Sequence, residues 1–356
     1  MIHQEAITTE WIQKTAKKLG NADPLLVEKA IWALRLLEGL AKQNIPFVFK
    51  GGTALMLHLD SAKRLSIDID IILPERETEQ GHIFDLIAKQ QGFLRWELQE
   101  RNTDTAITKA HYKFYYTPVR KGEEKEEYVL LDILHESVHY EKLISLPVQS
   151  VFVPQTDAPK KVKVPTLDDL LADKLSAFAP NTTGIPYFRN ENSMSMEIIK
   201  QLFDIGNLFD QAEDLNRIRT TFKKFAVVEL SYRGQKDLTP EDVLNDIIQT
   251  SLCLVTRGKD GTGNYVELES GIKRVSGFIF SEKYHLEKAI THASKAAWLA
   301  SLIASKSKDI SKYGEPSEMK DWEIKEPMNT KLNKLKKTNP EAFYYWYQIN
   351  KLTTSY

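Results

Sequence analysis

The chain has 356 residues, 42% of them apolar and 27% charged, the balance of a folded globular protein with room for two domains. A formal net charge of −1 excludes a wholesale basic character, so any nucleic-acid contact has to rest on a local patch. One cysteine, Cys253, excludes an internal disulfide; there is no signal-peptide pattern and no apolar run of about 18 residues, so a cytoplasmic location and no membrane contact are expected.

In chain order, helices are predicted at 5–19 and 24–43. The second repeats Leu26, Ala30, Leu34, Leu37 and Ala41 at helical spacing, with Asp23 as N-cap and Pro24 at the first helical position. A short apolar run at 47–49 then ends in Lys50-Gly51-Gly52-Thr53. Paired glycines there suit a tight strand-to-helix turn whose backbone N–H groups can face a phosphate. A basic loop holding Arg64 and Ser66 leads to Ile67-Asp68-Ile69-Asp70-Ile71. In a strand this alternation puts both aspartates on one face, where they repel unless a cation lies between them, and hard oxygen donors of this kind suit Mg²⁺ or Mn²⁺. The alternative is an edge strand with two solvated aspartates.

A helix is predicted at 82–91, strands at 93–101 and 109–117, and an acidic hairpin tip at 123–127. The strand at 128–134 carries Asp132 inside an apolar run, an expensive place for a carboxylate unless it shares the cation of Asp68 and Asp70; an edge strand facing solvent is the alternative. His135-Glu136-Ser137-Val138-His139 matches the H-E-x-x-H pattern of zinc hydrolases, which needs both histidines on one helical face and a third ligand. The motif here follows directly on a strand, so a chance match is the stronger reading and a zinc hydrolase the alternative function. A closing hairpin is expected from 148–153 and 161–164. A helix then opens at Leu167 with a buried stripe of Leu167, Leu170, Leu171, Leu175 and Phe178 expected, beside which Lys174 would ordinarily be a solvated charge. A loop at 180–192 precedes a helix with Lys200 and Asp204 at i, i+4, the spacing of a plain salt bridge. Helices are predicted at 213–231, 239–255, 281–305 and 330–349. The last holds a basic run at 331–337 and an aromatic run at 343–347; these could grip RNA, although a helix docked on the body explains them as well.

The order Lys-Gly-Gly-Thr, then Arg-x-Ser-x-Asp-x-Asp, resembles the AbiEii/AbiGii toxin family of nucleotidyltransferases, within the DNA polymerase β-like superfamily. The resemblance covers about residues 45–212 in four blocks. It implies an α+β fold, with a nucleotidyltransferase core over 1–165, a short mixed sheet flanked by helices, and a helical region over 166–356. It implies transfer of a nucleoside monophosphate from an NTP to a hydroxyl of RNA, such as the tRNA 3′ end, or of protein. Asp68, Asp70 and Asp132 would be the metal ligands, and Lys50, Gly51, Gly52, Thr53, Arg64 and Ser66 would bind the nucleotide. Lys174 would lie at the phosphates, and Asp204 would match a functional aspartate. A toxin–antitoxin or phage-defence role with a separate antitoxin follows from the same resemblance; a non-catalytic member that merely binds nucleotide or a partner is a further alternative, against which the intact acidic residues argue.

Overall fold

The computed structural model describes residues 2–58, 63–74, 80–99, 109–119, 126–154, 158–305, 307–315 and 317–354. The expected acidic tip at 123–125, and the start of the basic loop at 61–62, lie outside them. The chain divides into two compact units: unit 1 is Met1–Thr166 with Gly277–Lys283, and unit 2 is Leu167–Ser276 with Tyr284–Tyr356.

Unit 1 runs α1 (Thr9–Lys18), α2 (Pro24–Lys42), β1 (Val48–Lys50), α3 (Gly51–Ala54), β2 (Ile69–Ile72), α4 (Gln80–Gln91), β3 (Arg95–Leu98), β4 (Lys109–Tyr116), β5 (Glu127–Leu134), β6 (Leu143–Pro147) and β7 (Lys161–Pro165). The strands form one mixed sheet in the order β3-β4-β5-β2-β1-β7-β6. β2 runs parallel to β5 and antiparallel to β1, and β1 runs parallel to β7. One face is apolar: Phe49, Ile69, Ile71, Leu131 and Ile133 are all buried, and α2 packs over β2 and β5. Each such side chain contributes about 1.5–3 kcal/mol on burial.

α2 starts as its sequence predicts. The Asp23 carboxylate accepts from the Leu25 N–H, and Pro24 fills the first position. The helix is buried on more than one side, so its charges need partners. Glu28 accepts from the Val119 N–H, Glu38 accepts from the Ile2 N–H, and Arg35 donates to the Gln91 carbonyl oxygen. Trp32 stacks on Tyr116 with centroids 4.6 Å apart, which ties α2 to β4.

One expected hairpin in unit 1 needs correction. The hairpin partner of β7 is Leu143–Pro147, not 148–153. The Gln149 N–H donates back to the Pro147 carbonyl oxygen and turns the chain out of the ladder, while Phe152 and Val153 are buried from a turn. Their apolarity reflects core packing rather than strand pairing. Residues 135–139 are not helical, so the zinc-hydrolase pattern lacks the surface it requires; the His135 Nδ1 lies 3.0 Å from the Leu73 carbonyl oxygen.

Unit 2 is helical: α5 (Leu167–Ala177), a small hairpin of β8 (Phe188–Arg189) and β9 (Asn192–Ser193), α6 (Ser195–Phe209), α7 (Leu215–Tyr232), α8 (Pro240–Val255), α9 (Tyr265–Val275), α10 (Leu286–Ala304), α11 (Leu335–Thr338) and α12 (Pro340–Thr354). α10 is the hub, packed by α6, α8 and α12. α8 opens with the capping box of Thr239 and Asp242. The predicted helix at 330–349 is broken at Asn339-Pro340, because the residue before proline is pushed out of the helical region. Asn339 instead caps α12, accepting from the Ala342 N–H at 3.2 Å. Phe343, Tyr345 and Trp346 are buried, as a docked helix requires. The helix predicted from 281 starts at Leu286, because 277–283 belongs to unit 1.

Candidate active site

The polar face of the sheet in unit 1 carries one row across four strands. Lys50 pairs with Asp70, Asp70 with Asp132, and Asp132 with His111. Residues directly opposite one another project to the same side, so the row gathers two carboxylates from adjacent parallel strands between a lysine and a histidine. His111 Nδ1 lies 2.7 Å from Asp132 Oδ1; the side chains are 10% and 31% exposed. The imidazole therefore fixes one carboxylate oxygen and leaves the other side of the group toward solvent. Lys50 lies 6.0 Å from the Tyr140 ring centroid, a cation–π contact that restrains the ammonium near the row.

The glycine turn is built against the same row. Gly51 has φ +78°, in the left-handed region, and a Cβ there would collide with the Asp70 carboxylate. At Gly52 an added Cβ would meet the Arg64 guanidinium at 2.7 Å and the Ser66 hydroxyl at 2.8 Å. The pair of glycines thus lets the backbone approach Asp70 on one side and Arg64 and Ser66 on the other. The buried Thr53 hydroxyl donates to the Asp68 carbonyl oxygen, linking the turn to the approach of β2. Asp68 stands just ahead of the strand and is half-buried, as Asp70 is.

The Arg64 loop is clamped from a distant part of the chain. The Leu65 N–H donates to the Phe278 carbonyl oxygen at 2.7 Å, and Arg64 forms an antiparallel bridge with Ile279. Arg64 is buried and donates from Nη1 to the Leu65 carbonyl oxygen at 3.0 Å. Neither His111 nor the 277–283 segment is signalled by the sequence. A lone histidine in an aromatic strand gains meaning only through its register, and the clamp is wholly non-local.

In unit 2, Lys174 Nζ and Asp204 Oδ2 form a buried pair at 3.1 Å, their side chains 7% and 3% exposed. Lys174 is therefore not the solvated charge its place beside the helical stripe allowed. Two charges removed from water in this way stabilise each other, and removing one leaves the other buried without that counter-charge.

Chemically, the row offers hard carboxylate oxygens beside an open turn. Among the described residues no three His, Cys, Asp or Glu side chains are grouped so as to enclose a metal ion. Two carboxylates at facing positions of adjacent strands suit a cation that keeps water and phosphate ligands.

Comparison with known proteins shows the family. The family model "Nucleotidyl transferase AbiEii toxin, Type IV TA system" matches residues 35–252. Among solved structures, JHP933 from Helicobacter pylori is 13% identical, with 86% of this chain and 94% of that chain covered and a TM-score of 0.41. A candidate nucleotidyltransferase from H. pylori is 18% identical over 79% and 95%, with a TM-score of 0.41. An antigenic nucleotidyltransferase-like protein from Paracoccidioides brasiliensis is 13% identical over 56% and 93%, with a TM-score of 0.33. No curated protein matches the chain. The family model spans more than half of the chain and includes β1, β2, β5 and the Lys174–Asp204 pair; the chain belongs to the AbiEii family of nucleotidyltransferase toxins.

Proposed function

We propose that the protein transfers a nucleoside monophosphate from an NTP to an acceptor hydroxyl with the help of Mg²⁺ or Mn²⁺, the acceptor being RNA such as a tRNA 3′ end, or a protein. The observation that carries this reading is the Lys50–Asp70–Asp132–His111 row with the Gly51 backbone pressed against Asp70. Asp70 and Asp132, with Asp68 at the strand entry, would hold the divalent ion. Bound there, such an ion neutralises charge on the phosphates and aligns an in-line displacement.

The chain's own groups do the rest. Gly51, Gly52 and Thr53 present backbone to the triphosphate, while Arg64 and Ser66, converging on Gly52, take phosphate oxygens. Lys50 adds positive charge at the head of the row. The acceptor oxygen forms a bond to the α-phosphorus as the bond to pyrophosphate breaks. Asp132, steadied by His111, serves as third ligand or takes the acceptor proton. Within unit 2, Lys174 and Asp204 hold each other as a buried pair.

The family implies a nucleotide substrate and an antitoxin partner. We place the protein in the cytoplasm, in a toxin–antitoxin module that acts in phage defence. Among the described residues no helix is long and apolar enough to cross a membrane. Incubation with Mg²⁺, each labelled NTP and total RNA should label an acceptor, and intact-mass analysis of tRNA would name base and site together. Asp68→Ala should abolish labelling; equal labelling by that variant would reject the assignment.

A further inference from the structure

We infer that unit 2 carries a second anion site, a cavity that takes one phosphate borne on a flat ring system, the chemistry of a single nucleotide unit. The cavity, about 230 Å³, lies wholly within unit 2, between the C-terminal turn of α8 and the chain around Asn329 to Leu335. Its apolar lining includes Val255, Ile290 and Leu332, which are buried. Four cations also line it, Arg257, Lys259, Lys331 and Lys334, against one carboxylate, Glu287. An apolar floor under a cationic rim fits a ring with a phosphate attached. The volume is below the roughly 300 Å³ at which pockets for larger ligands begin.

The walls are fixed before any ligand arrives. The Asp260 N–H donates to the Thr256 hydroxyl at 3.0 Å, closing the turn after α8. Asn329 Nδ2 donates to the Asp260 carboxylate at 2.8 Å, and Asn329 Oδ1 accepts from the Lys331 N–H at 2.9 Å, joining the two walls. Arg257 sits at φ +56°, where a glycine is the ordinary choice after a helix. A strained arginine kept at the mouth of a cavity is the kind of backbone compromise that marks a binding site. Its guanidinium is oriented by Glu287 at 2.7 Å. The inference goes beyond the transfer reaction and does not rest on it.

The same chemistry has two sources, a free mononucleotide or the phosphate-bearing end of an RNA chain. Lysine acetylation of the full chain, read by mass spectrometry in EDTA, tests the site with three probes: UMP, a 5′-phosphorylated oligoribonucleotide and inorganic phosphate. Lys259, Lys331 and Lys334 should react at least about threefold more slowly with UMP or the oligoribonucleotide at saturation, with Lys223 and Lys236 unchanged. Protection by UMP alone assigns the free nucleotide, and protection by the oligoribonucleotide alone assigns the chain end. Inorganic phosphate, lacking the ring that would lie on the apolar floor, should protect less. Equal rates with and without every probe would overturn the proposal. Arg257→Gly supplies the second arm, since it removes the cation and the left-handed strain together. It should keep or raise the melting temperature while abolishing protection, and full protection in that variant would also overturn the site.

Discussion

At the scale of single residues, the site depends on two close approaches. Gly51 combines a left-handed φ with contact against Asp70, so Gly51→Ala is strained twice over. It should lose about 1–3 kcal/mol of stability and most transfer activity, measured by denaturant unfolding and NTP turnover. His111 acts through Asp132, to which it lies at 2.7 Å, and touches no substrate in the proposed reaction. His111→Leu should lower kcat about 10–100-fold with KM for NTP nearly unchanged, and His111→Asn should recover part of the loss. A fall in melting temperature that accounts for the lost activity would instead mark His111 as structural.

At the scale of elements, the Arg64 loop takes its backbone partners from 277–283, where Phe280 packs edge-on against Phe152 with centroids 6.0 Å apart. Phe280→Ala should cost about 1–3 kcal/mol, speed exchange of the Leu65 amide and raise KM for NTP, because the loop that carries Arg64 and Ser66 loosens. Between α5 and α6, Lys174→Met should cost about 3–5 kcal/mol by leaving the buried Asp204 carboxylate without this cation. Adding Asp204→Leu should restore much of the stability, by thermal melting.

Much of this arrangement is legible in the sequence where physics is local. Paired glycines after an apolar run announce a turn, and an aspartate inside Val-Leu-Leu-Asp-Ile-Leu announces a carboxylate that needs a partner, which His111 supplies at 2.7 Å. What is not legible depends on register or on distant chain. His111 has no signal until β4 is aligned with β5, and nothing within 277–283 tells that it leaves the helical unit for the Arg64 loop. Asp204 has Lys200 at helical spacing, yet the buried pair it forms is with Lys174 on another helix.

At the scale of the whole molecule, acid stability should be limited by His292, buried in α10. Burial above all, then Lys295 and Lys288, push its pKa from 6.5 down to about 3, against the pull of Asp204. Between those values the unfolded chain binds a proton that the folded chain does not. Stability therefore falls as pH drops through that window, by up to about 1.4 kcal/mol per pH unit. Denaturant unfolding between pH 7 and pH 4 should show this slope, and His292→Asn should flatten it; an unchanged slope would assign the loss to other groups.

The central claim is that carboxylates on two adjacent strands together hold a divalent ion in front of the glycine turn. Mn²⁺ titration by electron paramagnetic resonance, on the full chain with a non-hydrolysable NTP analogue, tests it most directly. Asp70→Asn and Asp132→Asn should each weaken Mn²⁺ binding at least about tenfold, while Asp85→Asn, on α4 beside Trp96, should leave it unchanged. Wild-type affinity for Mn²⁺ in both site variants would contradict the account.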